Sequence, residues 1–159
     1  MAFSLEPVDE SFFTDAPQRY VFSMDLPVPP ERVWEEAMAG EQPLPFVRGL
    51  SVRWISPAPR GVDSTRVAKT GFGAIRLQER YFVWDEGHRN AFMGTAINVP
   101  LFSRFAENYV VEPTASGSRF TWTFASDLRG LKPAVAANDV VQRAMFGRMA
   151  ADVRRHFTR

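Results

Sequence analysis

The 159-residue sequence contains no cysteine and only two histidines. It therefore has no disulfide, thiol nucleophile or zinc–thiolate site. HExxH, GxSxG and glycine-rich phosphate-loop motifs are also missing, so we expect neither a metal site nor a cofactor. No apolar run approaches the roughly 18 residues of a membrane span. The first residues, MAFSLEPVDESF, are acidic where a secretion signal is basic. We expect a cytoplasmic protein without an integral membrane segment.

The sequence also lacks an excess of charge of either sign, because it contains 19 basic and 18 acidic side chains and its net charge is +1. A nearly neutral protein has no general affinity for polyanions, so we expect no nucleic-acid partner. The stretch from residue 131 to the end carries six basic and two acidic side chains. We interpret it as a helix with a basic solvated face, in which Arg154 and Arg155 lie near the negative end of the helix dipole.

Aromatic side chains are abundant, with fourteen phenylalanines and four tryptophans. A chain of this length forms one core, and that much ring area either fills the core densely or lines a cavity. Residues 1–17 are acidic and contain two prolines. We interpret them as an N-terminal extension that is flexible or lies over the surface, and residues 18–159 as a single domain.

Hydrophobic periodicity predicts the order of the elements. Alternation over residues 18–26, and again from 50 to 126 with turn signals about every ten residues, predicts seven strands of an antiparallel meander. Between the first two strands, Pro30 begins a predicted helix and Gly40 ends it. A long helix is predicted from Pro133 to about His156, and its broad apolar stripe needs the sheet to cover it. The members of that stripe are Val135, Val141 or Gln142, Met145, Phe146, Met149, Val153 and Phe157.

Three segments carry a resemblance to a known family: the PPERVW motif at 29–34, the hairpin that joins Glu112-Pro113 to residues 117–123, and the long closing helix. Over residues 18–158 the chain resembles the START-related helix-grip superfamily, which includes polyketide cyclase/dehydrase-like (SRPBCC), pollen-allergen-type and lipid-transfer proteins. The resemblance implies an α+β fold in which a curved seven-stranded antiparallel sheet wraps around the C-terminal helix. It also implies binding of a hydrophobic small molecule, such as a lipid, polyketide or aromatic ligand, while only some members are enzymes.

Chain topology indicates where such a pocket opens. Alternate hairpins of a meander lie at opposite ends of the sheet, so residues 71–73, 99–103 and 128–131 share one end. That end is apolar and contains glycines, whereas the opposite end is polar. We predict that it forms the mouth, with Phe72, Leu101, Phe102 and Leu131 as gate residues. The alternative is that these residues simply cap the core.

Two carboxyl groups lie on otherwise apolar faces: Glu79 shares a face with Tyr81, and Glu107 with Tyr109. If these faces point inward, burial raises the pKa of each carboxyl group, which then acts as a general acid or base or binds a ligand hydroxyl. The residues that we expect to contact a ligand are Trp54, Phe72, Leu77, Glu79, Tyr81, Phe92, Leu101, Phe102, Glu107, Tyr109, Trp122, Phe124, Asn138, Met145 and Met149.

Two alternatives accompany this interpretation. Either glutamate is instead paired, for example with Arg66 or Arg53, or exposed at the rim. On the strand over 74–86, Phe82 and Trp84 form a competing apolar face, and an outward orientation would expose an aromatic patch that favours dimerisation.

Three functional hypotheses follow. The first is a non-enzymatic binding or carrier protein for an apolar ligand, as a monomer or homodimer. The second is a cofactor-free aromatase/cyclase-like enzyme in which Glu79 or Glu107 transfers protons. The third is a protein-interaction module that uses the Phe82/Trp84 face or the basic last helix.

Overall fold

The computed structural model describes residues 1–159 and contains eight strands and three helices. The strands are β1 (Phe3–Ser4), β2 (Gln18–Leu26), β3 (Ser51–Trp54), β4 (Thr65–Thr70), β5 (Ile75–Asp85), β6 (Arg89–Ile97), β7 (Phe102–Thr114) and β8 (Gly117–Leu128). The helices are α1 (Phe12–Asp15), α2 (Pro30–Val33) and α3 (Lys132–Phe157), and α2 continues as wider π-helical turns over Trp34–Ala39. None of the helices is long and apolar enough to span a membrane.

The strands form one antiparallel sheet in the order β2-β8-β7-β6-β5-β4-β3, and the short β1 pairs with β6. Seven strands therefore form the continuous sheet, as predicted, and β1 is an addition from the N-terminal segment. Helix α3 packs against this sheet and contacts β2 and β8. The α+β helix-grip prediction is confirmed.

Local sequence explains the first elements. Strand β2 has the predicted bounds, and Tyr20, Met24 and Leu26 on its inner face are buried. Pro30 begins α2, and a proline is tolerated there because the first N–H of a helix has no hydrogen-bond acceptor within the helix. At Gly40 the chain turns from helical to extended, and a Cβ atom there would lie 2.0 Å from the carbonyl oxygen of Glu35. Only glycine fits this close approach.

Helix α3 is buried in its C-terminal part only. Its first ten residues, 132–141, contain no buried side chain, whereas the remainder buries Gln142, Phe146, Met149, Ala150, Asp152, Val153 and Phe157. Of the two alternatives for the apolar stripe, Val141 is 63% exposed and Gln142 is buried. The Phe146 ring stacks on Phe124 of β8 at 3.9 Å between centroids, which fixes this part of the helix over the sheet.

The N-terminal segment covers the outer face of the sheet. Phe12 and Phe13 of α1 are buried, and the Phe13 ring stacks against Phe82 of β5 at 6.0 Å. A bulge between Tyr81 and Val83 shifts the alternation of β5, so that the Trp84 ring lies 4.9 Å from Tyr81. The exposed aromatic patch considered for Phe82 and Trp84 is therefore wrong, because each ring has aromatic neighbours within the chain.

Candidate functional site

A small apolar cavity lies between α3 and the sheet, near the β4–β5 turn. Its volume is about 60 Å³, which corresponds to roughly two water molecules. Its wall is mainly apolar, with three aromatic rings from β7 and α3, and it also contains two carboxyl groups, one from β5 and one from β7. These five side chains are Phe102, Phe105, Phe146, Glu79 and Glu107.

The first carboxyl group belongs to a buried ion pair. Glu79 Oε2 accepts a hydrogen bond of 2.5 Å from Arg66 Nε, and both side chains are almost fully buried. Strand register places them opposite each other on β5 and β4. Burial raises the pKa of Glu79, and the attraction of Arg66 opposes this rise. A guanidinium keeps its proton in proteins, and an unpaired buried charge costs several kcal/mol. Glu79 is therefore the carboxylate that balances Arg66.

The second carboxyl group is held by neutral donors. Glu107 Oε2 accepts hydrogen bonds of 2.8 Å from the Tyr109 hydroxyl and 2.8 Å from Trp122 Nε1. Burial, and then the nearby Glu79 carboxylate, raises the pKa of Glu107 to about 8. Two carboxylates that share one low-dielectric site do not both ionise easily. Glu107 is consequently a neutral acid at pH 7.

Further polar atoms surround this pair. Arg66 Nη1 and the Tyr81 hydroxyl are buried and have no hydrogen-bond partner. The Arg66 guanidinium lies 4.2 Å from the centroid of the Phe92 ring, which provides a cation–π contact. No group of three or more His, Asp or Glu side chains is arranged to hold a metal ion. The chemistry that this site offers is hydrogen bonding and proton transfer through its carboxyl groups.

The predicted mouth is only partly formed by its predicted gate residues. Leu101 and Phe102 line the cavity, whereas Phe72 is 91% exposed and Leu131 is 82% exposed. The backbone N–H of Arg129 donates to Leu101 O and its Nε donates to Phe102 O, so the β8–α3 loop is tied to this end. Both exposed residues lie outside the regular elements, Phe72 in the β4–β5 turn and Leu131 in the loop before α3.

The structure divides the predicted ligand contacts into three groups. The cavity wall contains Leu77, Glu79, Leu101, Phe102, Glu107, Met145 and Met149. A second group is buried in the core behind that wall and consists of Tyr81, Phe92, Tyr109, Trp122 and Phe124. The third group does not line the cavity: Phe72 is exposed in the β4–β5 turn, Asn138 lies in the first ten residues of α3, and the half-buried Trp54 donates from Nε1 to Gly40 O. Contact of any of these residues with a ligand stays a prediction.

Several wall residues were not among the predicted contacts. Ile75 and Phe105 share the alternating faces of Glu79 and Glu107, and Phe146 was placed on the stripe of the last helix. The hydrophobic periodicity of the sequence was therefore enough to predict which face of its strand or helix each of these three side chains occupies. Ala68 and Thr70 of β4 had no comparable signal, because a small or polar residue does not mark which face of a strand is buried.

Comparisons with known proteins agree with this architecture. The family model described as "Polyketide cyclase / dehydrase and lipid transport" matches residues 17–157. An uncharacterized protein of Mycobacterium tuberculosis is 33% identical over 127 residues, which cover 79% of this chain and 75% of that protein. An uncharacterized protein of Mycobacterium bovis has the same identity and coverage.

Two solved structures illustrate the fold. An uncharacterized protein from Bacillus thuringiensis has a TM-score of 0.67 at 17% identity, with 87% of this chain and 98% of that chain covered. The ginseng major latex-like protein 151 from Panax ginseng has a TM-score of 0.61 at 10% identity, with 87% and 96% covered. Sheet order, closing helix and family match together show that the chain belongs to the polyketide cyclase/dehydrase and lipid transport family of the START-related helix-grip superfamily.

Proposed function

We propose that this protein binds or carries an apolar small molecule between α3 and the sheet. The observation that supports this proposal is the apolar cavity, whose wall contains aromatic rings together with the Glu79 and Glu107 carboxyl groups. Ligand sites typically combine such a wall with a few polar groups that orient the ligand. The family description includes lipid transport, which agrees with an apolar ligand.

A ligand of ordinary size requires the cavity to enlarge. Pockets that enclose small molecules measure about 300–1,000 Å³, whereas this cavity measures about 60 Å³. On the helix side the cavity wall consists of Met145, Phe146 and Met149, and the ten preceding residues of α3, 132–141, bury no side chain. Enlargement therefore requires the three wall side chains to shift, and the start of the helix can follow them at little cost in apolar burial. Gly71, Phe72 and Gly73 have successive positive φ angles of 58°, 57° and 90°, so the neighbouring turn is built from residues in the left-handed region.

Native mass spectrometry of protein purified from its own host tests the proposal. We expect a bound lipid or aromatic molecule, which mild denaturation releases for identification. Protein that stays empty, and that also takes up no apolar probe in titration, contradicts the proposal.

A pair of variants separates cavity binding from surface adsorption. Ala68 lines the cavity and Ala137 is exposed on α3. The Ala68→Leu substitution fills the cavity with three further carbon atoms and is expected to weaken ligand retention about tenfold or more. The matched Ala137→Leu change should leave retention unaltered. Equal retention by the two variants would show that the ligand does not occupy this cavity.

The second candidate function is a cofactor-free enzyme that transfers protons through Glu107. The observation that favours it is a cavity-lining carboxyl group whose pKa is raised to about 8, close to the value at which a general acid or base is most effective. In D₂O, 2-tetralone exchanges hydrogen next to its carbonyl for deuterium. If the Glu107 carboxylate, which is well populated near pH 8, removes that proton and returns a deuteron, the native protein at that pH should accelerate this exchange about 100-fold over the Glu107→Gln variant. Identical rates for the two proteins would exclude this role for Glu107 with this probe.

Oligomeric state and location stay predictions. A monomer agrees with the coverage of Phe82 by Phe13, since this removes the aromatic surface that favoured a dimer. Light scattering during size-exclusion chromatography is expected to give the monomer mass of 18.0 kDa. Cell fractionation of the host is expected to place the protein in the cytoplasm.

A further inference from the structure

The polar side chains of the cavity wall are those of Glu79, Glu107 and Thr70, so the wall contains two carboxyl groups and no cation. Glu79 and Glu107 both line the cavity, whereas Arg66 does not. The Arg66 guanidinium pairs with Glu79 and lies against the Phe92 ring. A ligand that enters from the α3 side therefore meets carboxyl oxygens, and the Arg66 guanidinium next to them is already balanced by Glu79.

This arrangement disfavours an anionic ligand. A carboxylate at the inner wall would lose its water and face the Glu79 carboxylate without a free cation to pair with. An ammonium group is also disfavoured, because Glu79 already balances Arg66, and Glu107, whose pKa burial and Glu79 raise to about 8, would first have to lose its proton to pair with it. Apart from the Thr70 hydroxyl, the rest of the wall consists of aromatic and aliphatic side chains, which offer a charged group little solvation.

Hydrogen bonding at the two glutamates leaves one oxygen of each available. The contacts from Arg66, Tyr109 and Trp122 all reach Oε2 atoms, and Oε1 of either glutamate has no hydrogen bond. The Glu79 carboxylate needs a donor for its free oxygen, and the neutral Glu107 acid needs an acceptor for its proton. A hydroxyl group satisfies both needs, because it donates one hydrogen bond and accepts others.

We propose that the cavity selects neutral apolar ligands with a hydroxyl group at the buried end, namely alcohols or phenols, and rejects the corresponding carboxylates. This inference rests on the proposed binding function. It adds that Glu79 and Glu107 together determine which polar group is accepted.

A series of naphthalene derivatives tests the inference on the native protein. The probes are 2-naphthol, 2-naphthoate, 2-naphthylmethylamine and naphthalene, which share one ring system and differ in the polar group. Isothermal titration calorimetry at pH 6.5 is expected to give a dissociation constant for 2-naphthol at least about tenfold lower than for the other three. Equal affinity for all four, or a preference for the carboxylate or the amine, would overturn the inference while leaving the binding function in place. Failure of all four probes to bind would count against the binding function itself.

A charge variant tests the assigned cause. The Glu79→Gln substitution leaves the Arg66 charge without its partner, so the cavity should then prefer 2-naphthoate over 2-naphthol. The control is Glu112→Gln, an exposed position on β7, which should keep the native preference. A folded Glu79→Gln protein that still prefers 2-naphthol to the same degree would refute the role of the Glu79 charge. If this variant does not fold, the native protein with the four probes still decides between the outcomes.

Discussion

Glu107 offers a direct test of how this core handles a buried acid. Substitution of Glu107 by glutamine removes the ionisable group and keeps its shape. The glutamine carbonyl oxygen can accept the same hydrogen bonds from the Tyr109 hydroxyl and Trp122 Nε1 that Glu107 Oε2 accepts at 2.8 Å. Absolute stability therefore changes little at low pH, and the dependence of stability on pH is the quantity that the substitution alters.

The sign follows from proton binding in the two states. Burial and the Glu79 carboxylate raise the pKa of Glu107 to about 8 in the folded protein, whereas an unfolded glutamate has a pKa of about 4.3. At a pH between these two pKa values, Glu107 is protonated in the folded state and ionised in the unfolded state. The free energy of unfolding contributed by Glu107 is thus complete below about pH 4 and falls as the pH rises, by about 1.4 kcal/mol per pH unit. From pH 5 to pH 8 the loss is about 4 kcal/mol.

Urea denaturation at pH 5, 6.5 and 8 measures this effect. The native protein should lose stability over this range relative to the Glu107→Gln variant, so that the difference between them grows to about 4 kcal/mol in favour of the variant. The Glu112→Gln protein controls for the removal of an exposed carboxylate and should follow the native protein. Parallel curves for the native protein and Glu107→Gln would refute the assignment of a neutral buried acid.

Three further outcomes are expected from the packing around the cavity. Replacement of Arg66 by methionine or of Glu79 by leucine should each cost about 3–5 kcal/mol, and the double variant should recover most of this loss; additive losses in a urea double-mutant cycle would disprove the buried ion pair. Phe146→Ala removes a buried ring that stacks at 3.9 Å on β8 and should cost about 3–5 kcal/mol in urea denaturation, whereas the exposed Val141→Ala on the same helix should stay within about 0.5 kcal/mol. Backbone amides of residues 132–141 should exchange with deuterium faster than those of 142–157, since only the latter part of α3 carries buried side chains; uniform protection along α3 would contradict this reasoning.

Periodicity was sufficient for the main elements after residue 17 and for the apolar neighbours of both glutamates, whereas it did not predict β1 or α1 and left the orientation of the glutamates open. The first long strand has the predicted bounds, 18–26, and the predicted final helix over 133–156 corresponds to Lys132–Phe157. Glu79 and Glu107 are buried because successive side chains of a strand alternate between its faces. Their apolar neighbours at i ± 2 therefore determine which way each glutamate points.

Periodicity gave wrong expectations where a strand contains a bulge and where a helix extends past the sheet. The bulge after Tyr81 reverses the alternation of β5, which is why Phe82 and Trp84 do not form one exposed face. In the same way, the stripe of α3 favoured a continuous buried helix, whereas its first ten residues bury nothing. A helix can carry an apolar stripe that extends beyond the sheet it packs on, and sequence spacing contains no information about where that sheet ends.

The amino-acid sequence by itself determined the order of the main strands and helices along the chain and the apolar neighbours with which Glu79 and Glu107 share a face, because these depend on periodicity along single elements. The helix-grip architecture was implied by the resemblance to a known family, and only the tertiary structure decided that both glutamate faces point inward. Tertiary structure alone decided that Arg66 rather than Arg53 pairs with Glu79, that α1 covers Phe82, and that the cavity measures about 60 Å³. These features depend on strand register and on contacts between residues far apart in the chain. Register is set jointly by turns, bulges and packing, so it is fixed only when the whole sheet has closed around its helix.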